Sequence, residues 1–155
     1  MENFYVIMFL FNIGRIYRLL RFFDDPMPEE EVFRMNALRI AYIGDAVWEL
    51  IVRDHLIIKG LNVHHMHAEC IRLVNAGAQS SFIQLLLPEL TEAEAEIVKR
   101  GRNAHARHPA PKNQHPEDYS MSTGFEVLIG FLYLTGNKTR LDMFSGKILG
   151  GTNDG

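Results

Sequence analysis

Two carboxylates stand where carboxylates are costly. Asp45 lies inside "AYIGDAVWEL" (41–50) and Glu126 inside "FEVLIGFLYL" (125–134), both strongly apolar stretches. An acid buried in such surroundings needs a cation or several donors to meet it. Glu49, one helical turn beyond Asp45, adds like charge and sharpens that need. Two carboxylates completed by waters are a usual way to hold Mg²⁺, and an ion so held can activate water against a phosphodiester. Each acid also has an inert reading. Asp45 could sit on an exposed edge or pair with Arg39 or Arg53. Thr123-x-x-Glu126 fits a capping box, with the glutamate folding back to a helix start.

A second group of residues bears on phosphates. "KRGRNAHARHPAPKNQH" (99–115) holds five Lys or Arg and three His with no Asp or Glu, against an acidic balance elsewhere. Lys99, Arg100, Arg102 and Lys112 offer donors for phosphate oxygens, and Asn103 and Asn113 could read ribose hydroxyls. The inert reading is a solvated run at a helix C-terminus, where cations meet the helix dipole. "NVHHMHAEC" (62–70) places His64, His67 and Cys70 at spacings short enough for zinc, but no second ligand pair accompanies them. Exposed histidines at a helix start are the preferred reading. No phosphate-binding loop and no G-x-S-x-G elbow is present.

These residues need helices to hold them. From Glu29 to about Ile58 the apolar spacing predicts one long helix, and residues 66–87 predict another that Pro88 stops. Thr91 and Glu94 open a third with a capping box. Residues 105–119 carry Pro109, Pro111 and Pro116 and read as a loop. "STGFEVLIGFLYLTG" (122–136) reads as an apolar helix with a glycine past its end. Gly44 costs about 1 kcal/mol in a helix interior, which close approach by another backbone would offset. The expected class is all-α, a bundle of five or six helices.

The chain of 155 residues fits one domain of ordinary size, with 47 % hydrophobic and 23 % charged residues. Its net charge of −3 exerts no global pull toward nucleic acid, so such a function must rest on a local patch. The single Cys70 excludes an internal disulfide framework and suits a reducing, cytoplasmic setting. Residues 1–26 are set apart as an N-terminal extension of unknown role, with an apolar run from Phe4 to Phe11 followed by Arg15, Arg18 and Arg21. The run is too short to span a membrane, and its charges follow the run where a secretory signal would put them before it. An amphipathic added segment, or translation that begins at Met27, fits better. The domain is expected over 27–146, and the Gly-rich residues 147–155 as a flexible tail.

Taken together the motifs resemble a known family. "RIAYIGDAVWEL" (39–50) resembles the signature helix of the ribonuclease III nuclease domain, and "STGFEVLIGFLYLTG" resembles its last catalytic helix. "KRGRNA" (99–104), with "TGFE" and "AYIGDA", narrows the likeness to the Mini-ribonuclease III branch, which lacks a double-stranded-RNA-binding domain. The similarity spans about residues 36–144 and its motifs are specific. It implies an all-helical homodimer that hydrolyses double-stranded RNA with Mg²⁺, leaves 5′-phosphate and 3′-hydroxyl ends and trims large-subunit ribosomal RNA precursor. A ribosomal protein or pre-ribosome is an implied partner, and no membrane is. Asp45 and Glu126 fall on the family's metal-binding acids. The full-length pattern has further acids where this chain has Ala41 and Thr123, which implies a metal site with fewer carboxylates. Gly44 and Gly124 are expected to let the two acid-bearing helices approach, and the basic loop to contact the duplex. The alternative is a non-catalytic RNA-binding or scaffold protein on the same fold, for which the missing acids at 41 and 123 are the best support.

Overall fold

One helix, buried on almost every side, organises the others. The structure, a computed structural model, describes residues 25–104 and 115–151. In chain order it contains α1 (Glu29–Arg34), α2 (Ala37–Ile58), α3 (Val63–Val74), α4 (Ala76–Leu86), a 3₁₀ turn (Leu87–Glu89), α5 (Glu92–Asn103), α6 (Pro116–Leu134) and α7 (Lys138–Gly150). No strand occurs among the described residues, as the all-α expectation required. The central helix is α6, and from Met121 to Leu132 only Glu126 escapes full burial. Helices α2, α4 and α5 pack around it. Trp48 of α2, Phe82 of α4 and Phe125 of α6 meet edge-on or tilted, with centroids 5.0–5.9 Å apart. Trp48 Nε1 donates to the carbonyl of Leu73 at 3.0 Å, which satisfies the one polar atom this cluster buries.

Asparagine sets the helix boundaries. The side chains of Asn36, Asn62, Asn75 and Asn137 each accept from a backbone N–H in the first turn that follows. Two of these caps divide segments whose periodicity predicts a single helix. Asn36 separates α1 from α2, and Asn75 separates α3 from α4. The apolar spacing runs on across each one- or two-residue break, so periodicity alone does not register it. The capping box at Thr91 and Glu94 forms as expected. Glu94 does more than cap. It is 3 % exposed and accepts from Arg140 Nε and NH2 at 2.8 and 2.6 Å. The Arg140 guanidinium also lies 4.3 Å from the Phe144 ring, so this ion pair fastens α7 to the start of α5.

Three expectations change here. Helix α6 begins at Pro116, well before residue 122, because proline is favoured in a first turn. Helix α7 runs through Gly150 with Ile148 and Leu149 buried, so residues 147–150 belong to the packed unit and not to a tail. The glycine pairing also differs. A Cβ on Gly44 would lie 1.8 Å from the Glu126 carbonyl oxygen and 2.8 Å from Gly130 N. A Cβ on Gly130 would lie 2.2 Å from the Ile40 carbonyl oxygen. Gly44 and Gly130 therefore bring α2 and α6 together, whereas Gly124 faces α5, where Gly101 would meet its Cα at 3.0 Å. Residues 1–24, 105–114 and 152–155 lie outside the described residues.

Gly44→Ala is expected to lower stability by about 3 kcal/mol in chemical denaturation, because a rigid carbonyl occupies the space of the new methyl. Gly77→Ala, whose methyl meets only Asn75 Oδ1 at 3.4 Å, should stay within about 0.5 kcal/mol of the parent.

Candidate active site

The α2–α6 crossing carries both acids into one cleft. Asp45 follows Gly44 on α2, and Glu126 supplies the carbonyl that Gly44 admits. Both line a cavity of about 250 Å³ together with Leu38, Ala41, Tyr42, Tyr119, Ser122 and Thr123. Asp45 stands at the exposed rim and Glu126 is the deeper of the two. Among the described residues Asp45 has no ion pair. Arg53 is taken by Glu49 at 2.8 Å, so the inert pairing of Asp45 with Arg53 does not form.

The exposed-edge reading of Asp45 holds in that Asp45 is exposed at the rim, whereas the capping-box reading of Glu126 fails. Thr123 lies in the middle of α6, and its Oγ1 donates to the Tyr119 carbonyl at 3.0 Å. No helix start is there for a capping box to serve. Ser122 Oγ donates to the same carbonyl, also at 3.0 Å. Both hydroxyls thus spend their protons on the helix and keep their oxygens as acceptors.

The electrostatics are those of an acid pair without a cation. Burial, and then the charge of Asp45, push the Glu126 carboxyl up to about 8. Asp45 is raised by burial and by Glu49, and the Gln79 side chain offsets part of the rise. Gln79 lies close to the Asp45 carboxylate, although its Nε2 makes no bond of full hydrogen-bond geometry. Two oxygen-donor groups that resist sharing a negative charge suit a divalent cation, which would remove the repulsion and satisfy both. Across the described residues no cluster of three or more His, Cys, Asp or Glu side chains is arranged to hold a metal. Cys70 is buried, and His64 and His67 are exposed on α3.

The basic residues divide. Lys99, Arg102 and Asn103 are exposed at the C-terminal end of α5. The aliphatic stem of Arg102 lies over Gly124, two residues from Glu126. Arg100 does not belong with them. Its guanidinium donates to the carbonyls of Phe33 and Met35 at 2.5 and 2.7 Å and ties the α1–α2 corner to α5. The expectation that Arg100 contacts RNA is therefore corrected to a structural role, which a run of like charges in sequence conceals. Lys112 lies outside the described residues. The residue that sequence reasoning missed is Gln79. Its only signal is an amide on the buried side of a helix otherwise faced by Ile83 and Leu86.

The chain is similar to several known proteins. Residues 38–137 match the Ribonuclease III domain family, a span that includes both acids. The Mini-ribonuclease 3 of Symbiobacterium thermophilum is 47 % identical over 105 residues, covering 67 % of this chain and 80 % of that protein. The Mini-ribonuclease 3 of Clostridium tetani is 41 % identical over 123 residues, covering 78 % of this chain and 81 % of its own. In three dimensions the chain is similar to a Fusobacterium nucleatum protein solved by X-ray crystallography, with a TM-score of 0.71 and 26 % identity over 77 % of this chain and 95 % of that one.

The raised Glu126 makes stability depend on pH. The folded chain keeps that proton up to about pH 8, whereas the unfolded chain releases it near 4.5. Between those values the unfolded state holds fewer protons, so stability falls as pH rises. Asp45 acts in the same direction. His55, whose proton affinity burial lowers, acts in the opposite direction below its ordinary 6.5, so the comparison between variants isolates Glu126. Melts followed by circular dichroism in a chelator should show Glu126→Gln gaining stability over the parent as pH rises from about 4.5 to about 8.

Proposed function

Because this chain belongs to the ribonuclease III family, within its Mini-ribonuclease III branch, we propose that it is a Mg²⁺-dependent endoribonuclease that cleaves double-stranded RNA. Its substrate is large-subunit ribosomal RNA precursor, processed in the cytoplasm, with ribosomal protein or pre-ribosome as the setting in which that RNA is met. The observation that carries the proposal is the shared cleft of Asp45 and Glu126. Ala41 and Thr123, which stand where the full-length pattern has acids, line the same cleft, so its formal charge is carried by two residues alone.

Asp45 and Glu126 would hold the metal, Glu126 in its ionised form. Mg²⁺ bound there would supply Lewis-acid polarisation of the phosphodiester and of the attacking water. The water oxygen bonds to phosphorus, the P–O3′ bond breaks, and the products carry a 5′-phosphate and a 3′-hydroxyl. Ser122 and Thr123, with hydroxyl protons already committed to Tyr119, present acceptors to that water. Lys99 and Arg102 hold phosphates and Asn103 reads ribose, with Lys112, outside the described residues, added to the grip. The nuclease domain is residues 27–150, which extends the expected 27–146 by the last turn of α7.

The same proposal includes a homodimer. An apolar groove of about 680 Å³ runs between α2 and α7, lined by Ile43, Val47, Leu50, Ile51 and Leu149 among others. Leu50, Ile57 and Ile58 stand 57 %, 66 % and 78 % exposed on α2. Apolar groups gathered in this way favour burial against a partner. A second copy brought up by a two-fold axis gives two clefts, one for each strand of a duplex. No helix among the described residues is long and apolar enough to cross a membrane.

Titration of Mg²⁺ into a short labelled RNA duplex with the whole chain should shorten the RNA. Asp45→Asn should still shift the duplex and leave it uncut. A parent chain that shifts RNA at every Mg²⁺ concentration without shortening it would establish the non-catalytic binder instead. Leu50→Glu should keep the helical spectrum and halve the mass found by light scattering; an unchanged mass would remove this groove from the interface.

A further inference from the structure

Helix α4 carries a polar side chain that the chemistry above leaves unused. Gln79 is 1 % exposed, on the side of α4 that turns Ile83 and Leu86 into the core. Its amide reaches the Asp45 carboxylate on α2. Its Nε2 is nonetheless one of three buried side-chain nitrogen or oxygen atoms without a hydrogen-bond partner among the described residues. The other two, His55 Nε2 and Ser145 Oγ, belong to residues that line the apolar groove. Gln79 alone of the three lies beside Asp45. A buried amide donor is costly until an acceptor meets it, and leucine fills a similar volume without that cost. A glutamine here is stabilising only if the donor is used.

Resting on the metal reading of the cleft, we propose that Gln79 is a positioning residue whose Nε2–H donates to one oxygen of Asp45 and fixes that carboxylate for a divalent cation. The choice of donor follows from charge. A lysine or arginine at this place would neutralise Asp45 and repel the cation. An amide orients the carboxylate and leaves its charge intact. Carboxylates that ligate metals are themselves held by hydrogen bonds, and loss of such a partner typically weakens the metal about 10- to 100-fold. Gln79 comes from α4, which contributes no acid, so it holds Asp45 from a third helix.

The test is Mn²⁺ binding to the whole chain without RNA, read by electron paramagnetic resonance. The parent, Gln79→Leu, Gln79→Met and Asp45→Asn are compared, with melting temperature measured on each. A cooperative melt shows that the leucine and methionine variants fold. They should bind Mn²⁺ about 10- to 100-fold more weakly, and added Mg²⁺ should restore their cleavage toward the parent's maximal rate. The methionine variant, unbranched like glutamine, carries the result if leucine does not fold. If Asp45→Asn loses Mn²⁺ while a folded Gln79 variant binds it with parental affinity, the positioning role is overturned and the metal reading stands. If the parent binds Mn²⁺ no better than Asp45→Asn, the metal reading fails and this inference falls with it.

Discussion

The spacing of α2 from α6 governs everything at the cleft. Gly44 and Gly130 bring carbonyl oxygens of the facing helix to positions that any Cβ would occupy. Helices bearing ordinary side chains pack at 8–10 Å or so between axes, and two removed side chains permit less. The carbonyl that Gly44 admits belongs to Glu126 itself. The contact that packs the helices therefore also places one acid, while Asp45, the next residue after the glycine, is placed from the other side. The aromatic contacts of Trp48 and Phe125 lie on the same two helices and hold the crossing from within the core.

That geometry has an electrostatic cost. Two carboxyls gathered at a partly dry crossing oppose each other's ionisation, and Glu126 responds by holding its proton to about 8. The core does not relieve the pair: Arg53 is occupied by Glu49, Arg100 by the α1–α2 corner and Arg140 by Glu94. Glu94 shows the contrast within one fold. Burial alone would raise it, but the hydrogen bonds of Arg140 and Thr91 outweigh burial and hold it low. One glutamate is thus fully partnered and structural, and the other, Glu126, keeps its proton within the cleft.

The sequence was legible where a residue type leaves one physical option. A glycine followed by an aspartate inside an apolar helix demanded a close backbone and a polar site, and both are present at residues 44 and 45. The class of the fold followed from helical periodicity that no alternating segment interrupted. The divisions at Asn36 and Asn75 were not legible, because a cap that leaves the apolar spacing in phase looks like a continuing helix. Arg100 and Arg102 stand two apart in one basic run. Only three-dimensional placement shows that the first reaches back to Phe33 and Met35 while the second stays exposed. Gln79 was invisible for the same reason, since the importance of a buried amide depends on a neighbour 34 positions away in the chain, at residue 45.

The second glycine crossing has a metrical consequence. Gly101 and Gly124 bring α5 against α6, less tightly than Gly44 and Gly130 bring α2, and the stem of Arg102 lies over Gly124, two residues from Glu126. On the proposed reading, a polymer clasped at Arg102 would be presented to Glu126 at an offset set by this joint, which would act as a ruler along the strand.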